Sequence, residues 1–444
     1  MTPRDRRIWH TAPHVGAVPS SLRDQEPASP SGSRPRVLFA PETFNAGEVT
    51  RGVEVAKRLA DRVECVFAGF SERNRELIEG AGFELRLLSP RLDDEDARAL
   101  LALDQGRGLR NPFTDEMLSA RVAAERALIA ELGVSAVVIG ATLSQLISAR
   151  AEGVPLVFIR PFAYSLAHVE AMRRSGATGV LGRRGVGRAA VDDLVARLAP
   201  FLAGAIGLPP VFRRVASAHG VALPRGIAEA MTADLNLITT PEAMLPGWVS
   251  MPAGHSVVGP VYASLPGELP DVVTELASRD GPVIYVAMGS SGDRELVLAI
   301  LHGLGRAGYE VLAPVREHLE PADCDGLAPT VHVTGRLPAD RLGDVVDLAI
   351  THGGEGTVQT SCVQGWPFIG VPLQAEQRFN VQRCVDLGSA RMVRRRQVTA
   401  VDWPRLVASA LADRRMRERA GRLAERLEAL DGPGAAASAI LGLV

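Results

Sequence analysis

The residues best suited to chemistry lie in one short segment, Thr351-His352-Gly353-Gly354-Glu355-Gly356-Thr357. It follows the apolar stretch Val346–Ile350, so the sequence predicts a strand, a glycine-rich turn and a helix that begins near Thr357. Glycines let the backbone approach a ligand closely, and the free N–H groups of a first helical turn bind anions. His352 can add a side-chain donor. A diphosphate is the anion that suits this segment best.

More polar residues follow the next predicted strand. The chain continues through Gly365-Trp366-Pro367 to the strand Phe368–Val371, and then to Glu376 and Gln377. Polar groups after the carboxyl end of a strand lie where α/β proteins bind ligands. A carboxylate accepts hydrogen bonds and an amide both donates and accepts, so this pair suits the hydroxyls of a sugar. A glycine-rich turn alone is often only a tight connection, but the residues that follow it favour a ligand site.

The spacing from His352 to Gln377 resembles the donor signature of the family-one glycosyltransferases, the UDP-glycosyltransferase superfamily. That signature runs T-H-G-G, then Ser or Thr, then G-x-P, then P-x-x-x-[D/E]-Q, and it matches here without a gap. The resemblance extends more weakly over residues 36–444. It implies the GT-B fold, in which two Rossmann-like, doubly wound α/β domains face each other across a cleft. It also implies a nucleotide diphosphate sugar as donor, no metal or other cofactor, and, as in bacterial members, a small natural product as acceptor.

The resemblance assigns the donor site residue by residue. It implies that the diphosphate is bound by Ser290, His352, Gly353, Gly354, Gly356 and Thr357, the base and ribose by Arg336, Leu337 and Thr360, and the sugar by Glu376 and Gln377. Ser290 follows a predicted strand and could instead cap a helix. Arg336 stands where the family often has an aromatic residue; an arginine can stack on a base, or it can be an ordinary surface residue.

One departure concerns the nucleotide. Many UDP-sugar enzymes of the family have a glutamate three residues after the Ser/Thr, where it binds the ribose hydroxyls. Thr360 occupies that position here. UDP is the commoner nucleotide in the family, but Thr360 leaves room for dTDP, whose deoxyribose lacks one hydroxyl. Both nucleotides stay open.

A second departure concerns the base that takes the acceptor proton. The family's G-H-x-x-P region corresponds to Gly47-Glu48-Val49-Thr50-Arg51, so Glu48 replaces the histidine. A carboxylate acts as general base if burial raises its pKa; alternatively Glu48 is an acid at a helix start, with Arg51 as its partner. The family's orienting aspartate is absent too, since Gly140-Ala141-Thr142 stands there. In the family the aspartate fixes the tautomer of the histidine, and a glutamate has no tautomer to fix. The absence of the aspartate is therefore consistent with the absence of the histidine.

Two runs of alternating strands and helices position these residues. The first run extends from Val37–Ala40 to Leu235–Ile238, and the second from Val283–Ala287 to Phe368–Val371, with helical patterns beyond. Repeated βαβ units predict mainly parallel sheets with helices on both faces. The fold class predicted from the pattern is therefore α/β.

The same pattern divides the chain. We predict a disordered tail (1–35), an acceptor-binding Rossmann-like domain (36–262), a linker (263–280), a nucleotide-sugar-binding Rossmann-like domain (281–425) and a last helix (426–444) that could pack back on the N-terminal domain. The tail is rich in Pro, Ser and Arg and lacks the apolar region of a secretory signal.

Composition excludes other classes of function. The net charge of −2 gives no field that attracts nucleic acid or anionic lipid. No apolar stretch is long enough to form a transmembrane segment. The four cysteines are scattered, so neither a zinc site nor a disulfide framework is expected, and reduced thiols suit a cytoplasmic protein. The oligomeric state stays open.

Three functions remain. The first is an inverting glycosyltransferase, in which a base deprotonates the acceptor as the diphosphate leaves. The second is a sugar-nucleotide epimerase on the same fold, which the G-x-P and Glu-Gln spacing argues against. The third is a non-catalytic sugar-nucleotide-binding helper, which the missing His and Asp suggest. The sugar and the acceptor stay open, because acceptor pockets lie in variable loops.

Overall fold

A computed structural model describes residues 34–104, 113–168, 170, 208–247, 249–265 and 267–444. Within these residues the chain forms two parallel β-sheets, with helices packed on them. The predicted α/β architecture with two doubly wound halves is confirmed. The tail predicted to be disordered, 1–35, lies almost entirely outside the described residues.

The N-terminal half is built on a seven-stranded sheet. Its described elements are β1 (Arg36–Ala40), α1 (Ala46–Leu59), β2 (Glu64–Gly69), α2 (Arg75–Glu79), β3 (Leu85–Leu87), α3 (Asp94–Asp104), α4 (Asp115–Leu132), β4 (Ala136–Ile139), α5 (Gln145–Ala151), β5 (Leu156–Arg160), α6 (Pro210–Ala218), α7 (Ile227–Ala230), β6 (Leu235–Ile238) and β7 (His255–Val257). The strands lie in the order β3-β2-β1-β4-β5-β6-β7.

Alternate residues of β1 face opposite sides of this sheet. Leu38 belongs to the core cluster formed with α4, α5 and α6, whereas Phe39 belongs to the cluster formed with α1. Both faces are therefore covered, which explains why the strand is a continuous apolar run. β1 pairs with β4 up to Ala40 and Ile139. The loops that follow these two strands consequently start side by side.

The C-terminal half is built on a six-stranded sheet. Its elements are α8 (Asp271–Ala277), β8 (Val283–Ala287), α9 (Arg294–Gly305), β9 (Glu310–Ala313), α10 (Pro321–Asp325), β10 (Val331–Val333), β11 (Leu348–Thr351), α11 (Glu355–Val363), β12 (Phe368–Gly370), α12 (Ala375–Leu387), β13 (Ala390–Met392), α13 (Trp403–Leu411), α14 (Arg414–Leu427) and α15 (Gly432–Leu441). The strand order is β10-β9-β8-β11-β12-β13, so the loops after β8, β11 and β12 are neighbours at one edge.

The structure differs from the sequence prediction at a few elements. The three-residue strands β7 and β13 were not predicted, and α8 lies inside the predicted linker 263–280. The helical spacing of apolar residues predicts the first helix over Val49–Ala60, but α1 begins earlier, at Ala46, because the side chain of Asn45 accepts the N–H of Gly47 and caps the helix. The exact domain boundaries stay predictions.

The chain passes from the N-terminal to the C-terminal half near residue 260 and returns near residue 431, and these two segments are in contact. α15, the last helix, packs against α1, and Ile440 is buried in the core cluster that contains Phe39. A methyl group on Gly432 would lie 2.8 Å from the carbonyl carbon of Pro260, and one on Gly259 would lie 3.6 Å from Leu430. The outgoing segment near 260 and the returning segment near 431 therefore run side by side.

Candidate active site

The predicted anion-binding turn lies between β11 and α11. Gly354 immediately precedes the first helical residue of α11. Gly353 has a φ of 89°, and a methyl group on it would lie 2.6 Å from Cγ2 of Val381 in α12, so only glycine fits. The first amides of α11 have no acceptor within the helix and carry the positive end of its dipole. A methyl group on Gly356 would meet nothing within 4 Å, so this turn faces open space.

His352 is buried directly before this turn. Its imidazole fits between two glycines, because a methyl group on Gly289 or Gly354 would lie 2.6 Å or 3.0 Å from Cε1. Nδ1 is 3.4 Å from the oxygen of Ala287, which is long for a hydrogen bond. Burial lowers the pKa of His352 to about 4, so the ring is neutral at neutral pH and carries one N–H. It donates to a diphosphate only if that proton is on Nε2.

The hydroxyl of Thr357 is used within the turn. Thr351 Oγ1 donates to Thr357 Oγ1 over 2.8 Å, and Thr357 donates to the oxygen of Gly354 over 2.9 Å. The prediction that the helix begins near Thr357 is wrong, because the oxygen of Gly354 already accepts the first helical bond, from the N–H of Val358, and Glu355 is the first helical residue. A role of Thr357 at the diphosphate stays a prediction.

Ser290 lies in a short 3-10 turn, Gly289–Ser291, that follows β8. The alternative that Ser290 caps a helix is wrong, because the side chain of Asp293 accepts the N–H of Leu296 and caps α9. β8 pairs with β11, so the turn after β8 lies beside the turn after β11. The fold thus brings Ser290 to the side of the candidate anion site.

Glu376 and Gln377 lie in the first turn of α12, and both are buried. Oε1 of Gln377 accepts the N–H of Leu373 over 2.9 Å, and Nε2 donates to Oγ of Ser291 over 3.1 Å. Oε1 of Glu376 accepts a hydrogen bond from Asn380. These bonds fix both side chains and tie α12 to the turn after β8. Contact with a sugar stays a prediction.

The residues predicted to bind the base and ribose have different surroundings. Nη1 of Arg336 donates to Oδ1 of Asn74 in the N-terminal half over 2.7 Å, so this arginine links the two halves. Leu337 is buried in the core of the C-terminal half. Thr360 is buried within α11, where Oγ1 donates to the oxygen of Gly356 over 3.0 Å. Their contact with a nucleotide stays a prediction.

Glu48 lies in the first turn of α1 and is half-buried. Its Oε2 accepts the N–H of Glu42 over 3.0 Å and the N–H of Ala141 over 2.7 Å, so the loops after β1 and β4 both hold it. Glu48 also lines a small crevice together with Arg51 and Gly140. Two amide donors on one oxygen suit an ionised carboxylate, the form in which a general base works. Its catalytic role stays a prediction.

The structure adds Glu355, which the sequence analysis did not select. The carboxylate of Glu355, at the start of α11, lies 3.1 Å from Nη1 of Arg51 in α1. It also accepts hydrogen bonds from the hydroxyls of Thr239 and Thr240, which follow β6. Burial raises the pKa of Glu355, and the charge of Arg51 opposes that shift. An acid among the glycines of a predicted anion-binding turn was the signal that could have identified it.

Two further residues of the C-terminal half, Gln359 and Arg383, bind the N-terminal half. Nε2 of Gln359 in α11 donates to the oxygen of Thr239 over 2.8 Å, and Oε1 accepts the N–H of Val261 over 3.0 Å. In α12, Nε of Arg383 donates to the oxygen of Met244 over 2.9 Å. The helices that begin at the candidate donor site are therefore the ones that face the N-terminal half.

Comparisons with known proteins agree with this arrangement. Residues 298–441, which include α11 and α12, match the family described as Erythromycin biosynthesis protein CIII-like, C-terminal domain. The PGL/p-HBAD biosynthesis glycosyltransferase of Mycobacterium tuberculosis is 27% identical over 401 residues, which are 89% of each chain. The PGL/p-HBAD biosynthesis rhamnosyltransferase of Mycobacterium bovis is 26% identical over 395 residues, covering 88% of this chain and 84% of the relative. The chain is a glycosyltransferase similar to these relatives.

The fold of this glycosyltransferase is GT-B. The crystal structure of the glycosyltransferase VinC in complex with dTDP has the same architecture, with a TM-score of 0.64 over 92% of this chain and 99% of that chain at 18% identity. In the part of the glycosyltransferase that the structure describes, no helix is long and apolar enough to cross a membrane. Within the same residues, no three His, Cys, Asp or Glu side chains gather as a metal site. That the reaction needs no metal or cofactor stays a prediction.

Proposed function

We propose that this glycosyltransferase is an inverting enzyme that moves a sugar from a dTDP-sugar to a hydroxyl of a small natural product. The observation that carries the proposal is the ion pair between Arg51 and Glu355. Arg51 lies one helical turn after Glu48, and Glu355 is the first residue of α11. The ion pair thus supports placing the candidate base opposite the candidate diphosphate site, across the crevice between the two halves.

In the proposed reaction, the carboxylate of Glu48 takes the proton of the acceptor hydroxyl. The acceptor oxygen forms a bond to the anomeric carbon from the side opposite the diphosphate, and the bond from that carbon to the diphosphate oxygen breaks. The first-turn amides of α11 stabilise the negative charge that develops on the leaving group. The neutral imidazole of His352 gains a proton more readily as that charge grows, because a nearby anion raises the pKa of a histidine.

Two observations support dTDP over UDP. Thr360 stands where UDP-sugar enzymes carry the glutamate that binds both ribose hydroxyls, and its own hydroxyl is already bonded within α11. VinC, which has the same fold, was crystallised with dTDP. A natural-product acceptor is supported by the matched family, which is named for erythromycin biosynthesis.

A thermal-shift measurement with dTDP, UDP and dTMP tests the donor. A ligand present at about 100 times its Kd stabilises the folded state by about 2.7 kcal/mol, so the melting temperature should rise measurably with dTDP. UDP should give a smaller shift, and dTMP, which lacks the second phosphate, a smaller one still. Equal shifts from dTDP and dTMP would refute a site built for a diphosphate, and no shift with any of the three would refute the donor assignment.

Product analysis with dTDP-sugars tests the reaction. With an acceptor present, we expect dTDP and a glycoside of inverted anomeric configuration. Without an acceptor, the sugar nucleotide should be recovered unchanged. An epimerase would instead convert the donor alone, and that result would overturn the proposal.

A further inference from the structure

A buried arginine in the N-terminal half has no hydrogen-bond partner among the residues that the structure describes. Arg121 of α4 is 0% exposed, and among the described residues Nε, Nη1 and Nη2 all lack an acceptor. Its guanidinium carbon lies 3.8 Å from the ring centre of Phe70 and 5.3 Å from that of Phe113. The rings leave the N–H groups, which point along the edge of the guanidinium plane, without acceptors. Burying such donors unpaired costs folding free energy, and unpaired buried groups are common where a ligand binds.

Glu42, the ion-pair partner of Arg121, is also incompletely paired. Oε1 of Glu42 is buried and has no partner among the described residues, and Oε2 is 3.7 Å from Nη1 of Arg121, which is an ion pair but too long for a hydrogen bond. In the same half, Oγ1 of Thr142 and Oε1 of Gln145 are buried and lack a partner among the described residues. Requirements of the fold alone do not explain why the cluster of Arg121 and Glu42 leaves so many donors and acceptors unused.

The cluster adjoins the candidate base. Glu42 follows β1 and Thr142 follows β4, at the edge of the sheet where α/β proteins bind ligands. The N–H of Glu42 and the N–H of Ala141 both donate to Oε2 of Glu48. Arg121 is therefore separated from the carboxylate of Glu48 by only one residue, Glu42. A molecule that reaches Arg121 would lie next to the proposed base.

We propose that Arg121 binds a carboxylate group of the acceptor and thereby positions the acceptor hydroxyl at Glu48. A guanidinium binds a carboxylate through two parallel N–H···O bonds, which would satisfy the unpaired edge of Arg121. The inference rests on the proposed function, because it names the class of acceptor for the same reaction. Of the two rings that cover Arg121, Phe113 is the less buried, since it is half-buried and Phe70 is fully buried.

Glu42 makes the binding depend on pH. Burial raises the pKa of Glu42 to about 7, so near neutrality it is partly protonated and can donate to the ligand instead of repelling it. The charged groups that act on Glu42 are Arg121 and Glu48. Glu125 interacts with both Arg121 and Glu42, and burial raises its pKa to about 7 as well. Carboxylate binding should weaken as the pH rises through 7, while binding of a neutral analogue should not change.

Calorimetric binding of 2-naphthoate and of 2-naphthamide tests the proposal, because the two probes share a shape and differ in charge. The wild-type enzyme should bind the acid at least about tenfold more tightly than the amide, since hydrogen bonds to charged groups contribute about 1.5–3 kcal/mol. Arg121→Met, which keeps the side-chain volume, should abolish that preference. Arg214→Met is the matched control, since Arg214 is an exposed arginine paired with Asp115 of α4 and should behave as wild type. Equal binding of both probes by the wild type, or an unchanged preference in Arg121→Met, would overturn the proposal.

Glu42→Gln keeps the test decisive if Arg121→Met does not fold. Removing the competing carboxylate should tighten 2-naphthoate binding at pH 8 by about tenfold, because an adjacent like charge costs about as much free energy as one pKa unit. The affinity for 2-naphthoate should then no longer fall as the pH rises. A purely structural ion pair would give no gain, and that result would refute the carboxylate site. The thermal shift with dTDP, measured on the same samples, reports separately on the proposed function: loss of the dTDP shift with retained acid binding would contradict the donor assignment alone.

Discussion

Gly140 leaves the space that the carboxylate of Glu48 occupies. A methyl group on Gly140 would lie 2.7 Å from the carboxyl carbon of Glu48, and closer still to Oε2. The family resemblance implies a histidine at position 48 and an aspartate after β4, and this chain has neither. The two positions are in contact, so a side chain at 140 and a glutamate at 48 are mutually exclusive in this arrangement.

Gly140→Ala should displace the Glu48 carboxylate without disturbing the diphosphate site. We expect kcat to fall by about 100-fold, because a shift of about 1 Å in a catalytic group has an effect of that size. The dTDP thermal shift should stay as in the wild type. Gly421→Ala is the matched control: its methyl group would meet nothing within 4 Å in α14, and activity should be unchanged. Full activity in Gly140→Ala would mean that the position of Glu48 does not matter.

Glu48→Gln should lower kcat by about 100-fold or more, since a general base contributes at least that much. The amide oxygen can still accept the N–H groups of Glu42 and Ala141, so the fold and the dTDP thermal shift should persist. Steady-state kinetics with a dTDP-sugar and an acceptor measure the loss. A variant with normal turnover would assign the base to another residue.

His168 should make stability depend on pH. Its ring lies edge-on to Phe162 and Phe379, and burial lowers its pKa to about 4. In the unfolded chain the pKa is about 6.5, so the unfolded state binds more protons between these values, and the contribution of His168 to stability is lost as the pH falls from 6.5 towards 4.

His168→Phe removes this loss. The unfolding free energy of variant and wild type is measured by denaturation at pH 5 and at pH 7. The difference, variant minus wild type, should be about 2 kcal/mol larger at pH 5 than at pH 7. Any constant packing effect cancels in that comparison. A difference between variant and wild type that is the same at pH 5 and pH 7 would contradict the neutral state of the buried ring.

Thr239→Val tests the contact between Glu355 and the N-terminal half. The change keeps the shape of the side chain but removes the hydroxyl that donates to Glu355, so the unfolding free energy should fall by about 1.5–3 kcal/mol. Thr330→Val is the matched control, because the buried hydroxyl of Thr330 has no partner among the described residues. Denaturant titrations of both variants measure the difference. Equal stability of the two would show that the Glu355 contact contributes nothing.

The sequence predicted the strands well where both faces of the sheet are covered. Val283–Ala287 is a central strand, and its bounds agree with the prediction residue for residue because both faces require apolar side chains. The short edge strands β7 and β13 were missed, since the polar residues His255, Ser256 and Arg391 leave no apolar run to recognise. The turn after β11 was predicted from its glycines: Gly353 has a φ of 89°, and a methyl group on Gly353 or Gly354 would collide with its neighbours. That this turn binds the donor stays a prediction.

The sequence did not predict contacts between distant residues. Glu355 meets Thr239 and Thr240, which are more than a hundred positions away, and no local spacing indicates that pairing. Arg121 occupies an ordinary position in a helix with many charged residues, and its complete burial emerges only when Glu42 and Phe70, which follow β1 and β2, pack on it. Periodicity indicates which face of a helix is apolar, but it does not indicate which polar residue lies under a neighbouring loop.

The neighbouring segments near Pro260 and Gly432 place both covalent connections between the two halves at one spot. A movement of one half against the other that keeps both connections intact would be a rotation about an axis through that spot. The return helix α15 packs on α1, the helix that carries Glu48. Such a rotation would therefore change the distance between the carboxylate of Glu48 and the start of α11.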